Sequence, residues 1–231
     1  VAISSVDTAT GGVLAMYGGP DYTTNSRNWS TTPRPAASTF KSFATVAGLR
    51  NGYSLDSTLK GDTFTPRGEG VPVRNEFSEQ YGDVTLRKAV AESINTAFVD
   101  MTESMNNGPA AVIKAANDAG APTGAGWDAN NRIALGAAEV SPLNMANAYA
   151  SLADSGKRKE THFVAKVLDR NGNTVYEAKN EATQAIEENV AANVTDALTS
   201  VVEEGTGAKA SQLNRPVAGK TGTNGVDDSI T

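Results

Sequence analysis

The chain has no cysteine. That absence excludes disulfides, a thiolate nucleophile and any zinc–thiolate site, and it suits an exported protein that must not misbridge in an oxidising space. There is one histidine, His162. No cluster of histidine metal ligands can form, and a Ser-His-Asp triad would hang on that single residue. No metal and no cofactor is expected. No apolar run approaches the ~18 residues of a membrane span. Lys and Arg never gather into long clusters and the formal net charge is −6, which speaks against nucleic acid or anionic lipid as a main partner. The text opens on VAISSVD, with no initiator methionine and no signal or transit pattern, so a trimmed piece of a longer protein is expected.

What is present is 231 residues with a hydrophobic fraction of 39%, enough for one well-buried domain or two small lobes. VAISSVD and VLAMYGG flank the turn TATGG and predict a β-hairpin. After a polar loop, RPAASTFKSFATVAGL runs into a helix that Asn51-Gly52 should stop. Residues 53–83 are rich in Gly, Pro and Asp and predict an irregular connection. Helices are expected in TLRKAVAES, NTAFVDMTESM, PAAVIKAANDAG and SPLNMANAYASLADSG. HFVAKVLD and TVYEAK, joined by RNGN, predict a second hairpin, ENVAANVTDALTSVVEEG a long amphipathic helix, and RPVAGKTGT a final strand. That order is not βαβ alternation. It predicts an α+β fold, an antiparallel sheet flanked by helices.

Three short patterns carry possible chemistry. Ser38 and Lys41 stand three apart at a helix mouth, where both side chains share one face. The bland reading is a capping serine beside a solvated lysine; the sharp one is a nucleophile beside its base. A lysine can take a serine proton only if desolvation or a nearby cation lowers its pKa, and Lys220, followed by Thr221, Gly222 and Thr223, can supply that cation. Ser93-Ile94-Asn95 falls between two helices, where a hydroxyl and an amide can both face a cleft. Ser57/Lys60 repeats the first spacing, and Ser26/Asn28 and Ser104/Asn106 repeat the second, each in a setting that suits the chemistry poorly. His162 reads as structural, Trp29 as packing more than cleft lining, and the pairs Glu187-Glu188 and Glu203-Glu204 as solvated.

S-x-x-K, S-x-N and K-T-G in this order match the set of penicillin-binding proteins and class A β-lactamases. The chain resembles the transpeptidase domain of a class A, bifunctional penicillin-binding protein, through TATGGVLAMYGG, YGDVTLRKAVAESINTAFV, ALGAAEVSPLNMANAYASLADSG and VVEEGTGAKASQLNRPVAGKTGT. It departs from the family pattern in Pro35-Ala36-Ala37, where Pro-Gly is frequent, and the family continues past KTGT with two strands and a helix where this text ends at NGVDDSIT. The remainder is therefore expected as a second polypeptide or a lost segment.

The resemblance implies one transpeptidase domain over 1–231, with sheet parts near 1–19 and 162–223 and a helical lobe near 53–155. It implies that Ser38 forms an acyl-enzyme with stem peptides ending in D-Ala-D-Ala, Lys41 takes its proton, and Ser93 relays a proton to the leaving amine. Asn95 would bind the substrate amide, Lys220 set the positive potential, and Thr221 and Thr223, with Gly222 between them, hold the terminal carboxylate. The backbone N–H groups of Ser38 and Thr223 would hold the oxyanion. β-Lactams are implied inhibitors, and an extracytoplasmic location with a membrane anchor outside this chain is implied too. Two alternatives stay open: a serine β-lactamase, which needs a water-activating residue that no Glu-containing loop supplies in the right place, and a penicillin-sensing domain that acylates without turnover.

Overall fold

A computed structural model describes residues 1–224. Its central element is helix α1, Lys41–Arg50, buried continuously from Lys41 to Gly48. A helix enclosed on all sides sits at the centre of a core and not on its surface. It packs against α3 (Asn95–Ser104), α4 (Gly108–Ala119) and α6 (Glu188–Glu203). Gly48 lets α3 approach: a Cβ there would lie 2.6 Å from the Met101 sulfur. Asn51 and Gly52 end α1 as expected, Gly52 taking φ +89°. Among the described residues the remaining α-helices are α2 (Leu86–Ala91), capped by the Thr85 hydroxyl, and α5 (Pro142–Ala153), capped by the Ser141 hydroxyl.

Strands come as five antiparallel pairs among the described residues. The first hairpin is β1 (Ile3–Val6) with β2 (Val13–Tyr17). Strand β3 (Arg34–Pro35) pairs with β6 (Glu139–Val140), and β7 (Lys157–Arg158) with β10 (Thr183–Gln184). The second hairpin joins β8 (Lys166–Leu168) to β9 (Thr174–Glu177) through Asn171 and Gly172, the latter at φ +85°. The mixture of helices and antiparallel strands is the α+β class read from the sequence.

Two local expectations are corrected. Residues 53–83 are not wholly irregular: β4 (Thr58–Lys60) pairs with β5 (Asp83–Thr85), closing the connection at both ends. RPVAGKTGT forms no strand. An extended backbone becomes a strand only by sharing a ladder, and among the described residues none pairs with 215–223; the Gly219 N–H bonds instead to the Leu198 carbonyl of α6. Glu187 is exposed, as expected, and its carboxylate accepts from Arg50 at 2.8 Å while the same guanidinium meets Asp118 at 2.7 Å. The tail 225–231, including most of NGVDDSIT, lies outside the described residues.

Candidate active site

Ser38 does not cap a helix. It sits inside a 3-10 turn, Ala37–Phe40, that precedes α1. Ser38 and Lys41 stand three apart where the 3-10 turn passes into α1. The turn is seated on the ALGA stretch: Ala36 and Ala37 N–H groups bond to the Ala138 and Gly136 carbonyls, each at 2.9 Å. Ala37 takes φ +50°, a left-handed conformation that alanine adopts only at some cost. Gly136 must be glycine here, because a Cβ would lie 1.9 Å from the Ala37 carbonyl oxygen. Here lies the physical weight of the Pro35-Ala36-Ala37 departure: alanine occupies a position whose backbone favours glycine.

Lys41 is fully buried. Its Nζ bonds to the Ser93 carbonyl at 2.6 Å, the Ser93 hydroxyl at 3.2 Å and Asn95 Oδ1 at 2.6 Å. Burial holds its ammonium well below the usual lysine range; the Lys220 charge adds to this, and Glu76 opposes it. In the neutral amine two N–H bonds satisfy the Ser93 carbonyl and Asn95, leaving a lone pair for a hydroxyl proton. Ser93 holds φ +58° between α2 and α3, strain of the kind that collects at working sites. Asn95 donates to the Arg74 carbonyl at 3.2 Å.

The third pattern closes the cleft. A Cβ on Gly222 would come within 3.0 Å of the Thr39 methyl and 3.3 Å of the Ala36 carbonyl oxygen, so the segment lies directly on the turn that carries Ser38. Lys220 Nζ donates to the Thr221 carbonyl at 3.1 Å, and burial lowers its pKa to about 8. Thr221 and Thr206 share a hydroxyl contact of 2.6 Å. Ser38, Ser93, Asn95, Thr221, Gly222 and Thr223 line one hollow of about 620 Å³. The six come from three segments scattered along the chain. Lys41 underlies the same hollow through Ser93 and Asn95, and Lys220 acts on it electrostatically.

The decoy patterns stay apart. Lys60 pairs with Asp100 at 3.0 Å, and the Ser57 hydroxyl caps the Ser54 N–H. His162 bridges Gly12 of the first hairpin, and Trp29 stacks under Arg34 and Arg27 at 3.9 and 5.0 Å; neither lines the hollow. A larger space of about 800 Å³ surrounds Arg50, Asp118 and Glu187, whose charges are already paired with one another.

Sequence reasoning missed several cleft residues. Glu76, Phe77, Tyr81 and Thr206 also line it. Phe77, 90% exposed, stands at its lip with φ +53°. Buried Asn75 fixes that lip, donating to the Gly61 and Glu79 carbonyls at 2.6 and 2.9 Å and accepting from the Thr96 N–H and hydroxyl at 3.1 Å. An aromatic in a Gly/Pro-rich connection just before S-x-N was the available signal.

The family model for the penicillin binding protein transpeptidase domain matches residues 1–229. The chain belongs to that family. Penicillin-binding protein 1A of Mycolicibacterium smegmatis is 34% identical over 96% of the chain, and that of Mycobacterium tuberculosis 32% identical over 99%; the chain spans 29% of the length of each. A solved structure of the M. tuberculosis penicillin-binding protein PonA1 in complex with penicillin V superposes with TM-score 0.79 and 32% identity, covering 87% of this chain and 55% of that one. The penicillin-binding protein 1A relatives agree with the class A resemblance, and the shared transpeptidase fold with the α+β expectation.

Proposed function

We propose that this chain carries out acyl transfer for a serine-type D-alanyl-D-alanine transpeptidase and is acylated by β-lactams. One observation carries the reading: a fully buried lysine, Lys41, bonded to Ser93 and Asn95 in the hollow that Ser38 and the Thr221-Gly222-Thr223 segment share. A buried, depressed lysine beside a hydroxyl is what activates a serine without histidine.

In this reading Ser38 Oγ attacks the carbonyl of the penultimate D-alanine, and its proton passes to Lys41. The peptide C–N bond breaks, Ser93 gives its proton to the departing amine and takes back the one held by Lys41, 3.2 Å away, and terminal D-alanine leaves. Asn95 holds the substrate amide, while Lys220, Thr221 and Thr223 meet the terminal carboxylate that a β-lactam carboxylate imitates. Ser38 and Thr223 N–H groups hold the oxyanion. An amine from a second stem peptide then takes the acyl group and forms the cross-link; water in its place gives carboxypeptidase activity. The whole of 1–231 serves as one transpeptidase domain, with sheet parts near 1–19 and 162–223, the latter also carrying α6, and a helical part near 53–155. Work on peptidoglycan places the reaction outside the cytoplasm. No helix among the described residues is long and apolar enough to cross a membrane.

The test uses a peptide ending in D-Ala-D-Ala. Released D-alanine is expected, with a cross-linked product when a second peptide supplies an amine and free acid when it does not. Penicillin acylation without any D-alanine release would favour the sensor reading. Rapid loss of the penicilloyl group would favour the lactamase.

A further inference from the structure

We propose that Tyr149 is a positioning residue for Ser38, acting through a hydroxyl bridge to the turn that carries the nucleophile. The inference rests on the reading of Ser38 given above. Tyr149 lies in α5, far along the chain from the S-x-x-K pattern. Its hydroxyl donates to the Thr39 carbonyl at 2.8 Å and accepts from the Ser42 hydroxyl at 2.8 Å. Thr39 follows Ser38, and Ser42 follows Lys41. One phenol therefore grips the residue after the nucleophile and the residue after the base.

The grip is rigid. The ring meets Phe43 edge-on at 6.1 Å between centroids. Ser42 is fully buried. Burial also raises the Tyr149 pKa well above the usual phenol range, so the hydroxyl remains a donor wherever acylation can be measured. Thr39 is held on other sides too: its hydroxyl donates to the Ala36 carbonyl at 2.5 Å, and Gly222 packs against its methyl and N–H. Thr39 is thus clamped between the third catalytic segment in front and Tyr149 behind. A left-handed Ala37 precedes Ser38, and a strained turn keeps its shape only when its surroundings over-determine it. Removing the phenol oxygen leaves a carbonyl and a hydroxyl without that partner next to the nucleophile.

The experiment compares Tyr149→Phe with the wild type in the complete protein, using a fluorescent penicillin as probe. The expected result is an acylation rate at saturating penicillin lower by about 10- to 100-fold, the scale on which small misplacements act, with the dissociation constant of the initial complex within about threefold. A merely structural residue would not give that split. Leu152→Ala, buried on the same helix, is the control: it should lower the thermal midpoint and leave the rate of the folded fraction unchanged. Ser42→Ala should slow acylation by a smaller factor, and it carries the test if Tyr149→Phe does not fold. Equal rates for wild type and Tyr149→Phe, equal losses in Tyr149→Phe and Leu152→Ala, or an unaffected Ser42→Ala when that variant carries the test, would each overturn the inference. Absence of label on Ser38 in the wild type would overturn the reading beneath it as well; a normally labelled wild type with a normal Tyr149→Phe overturns this inference alone.

Discussion

Replacing Lys41 by methionine is expected to slow penicillin acylation by about 100- to 10,000-fold, the range that general-base catalysis supplies. Folding should change much less. Two terms oppose each other. Methionine relieves the burial of an amine that sits at 0% exposure, and it removes the donor from the Ser93 carbonyl and from Asn95 Oδ1. Two part-buried acceptors lose their donor, at about 1–3 kcal/mol for each one left unpaired, while the desolvation cost of holding the amine there is returned and opposes that loss. The denaturation midpoint should therefore move little while the rate collapses. Acylation within tenfold of the wild type, in a folded Lys41→Met protein, would remove Lys41 from the chemistry.

The second large effect is in the pH profile. Acylation should rise with pH as Lys41 loses its proton, and fall near pH 8 as Lys220, whose pKa burial lowers to about 8, loses the charge that meets the substrate carboxylate. Lys220 also helps to keep Lys41 depressed. Lys220→Gln should therefore move the rising limb to higher pH and abolish the falling limb. Its rate at neutral pH should drop about 10- to 100-fold, the worth of one charge-assisted hydrogen bond at about 1.4 kcal/mol per tenfold. Stability carries the opposite sign. Between pH of about 8 and 10.5 the unfolded chain keeps the Lys220 proton that the folded chain has released, so the folded state gains stability as pH rises through that window. Urea midpoints should climb there in the wild type and lose this increment in Lys220→Gln. An unmoved rising limb would show that the two lysines do not communicate.

Much of this was legible from spacing alone. Residues of S-x-x-K, S-x-N and K-T-G come together around one hollow, and the helix stop at Asn51-Gly52 and the Asn171-Gly172 hairpin follow from backbone preferences that local sequence records. The requirement for a second cation near Lys41 was also readable, because a serine without histidine needs a depressed lysine. What escaped was long-range and polar. Nothing local announces that Tyr149 will hold the Thr39 carbonyl, that Asn75 will hold Thr96, or that Arg50 will reach Glu187 on the far side of the chain. Such bonds depend on tertiary contact and leave no periodic trace. Ser38 stands at a helix mouth as read, but the 3-10 form of that mouth leaves no local trace: the left-handed Ala37 behind it bonds to the Gly136 carbonyl, about a hundred residues later. The strand expected at RPVAGKTGT failed for another reason: the alternation was present, but a strand is a property of two segments, and the described residues offer 215–223 no partner.

The most direct test of the account is to label the protein with a fluorescent penicillin, digest it and identify the modified residue by mass spectrometry. The account predicts a single penicilloyl adduct on Ser38, absent from Ser38→Ala and absent from the look-alike Ser57. An adduct on any other serine, or covalent labelling that persists in Ser38→Ala, would contradict it.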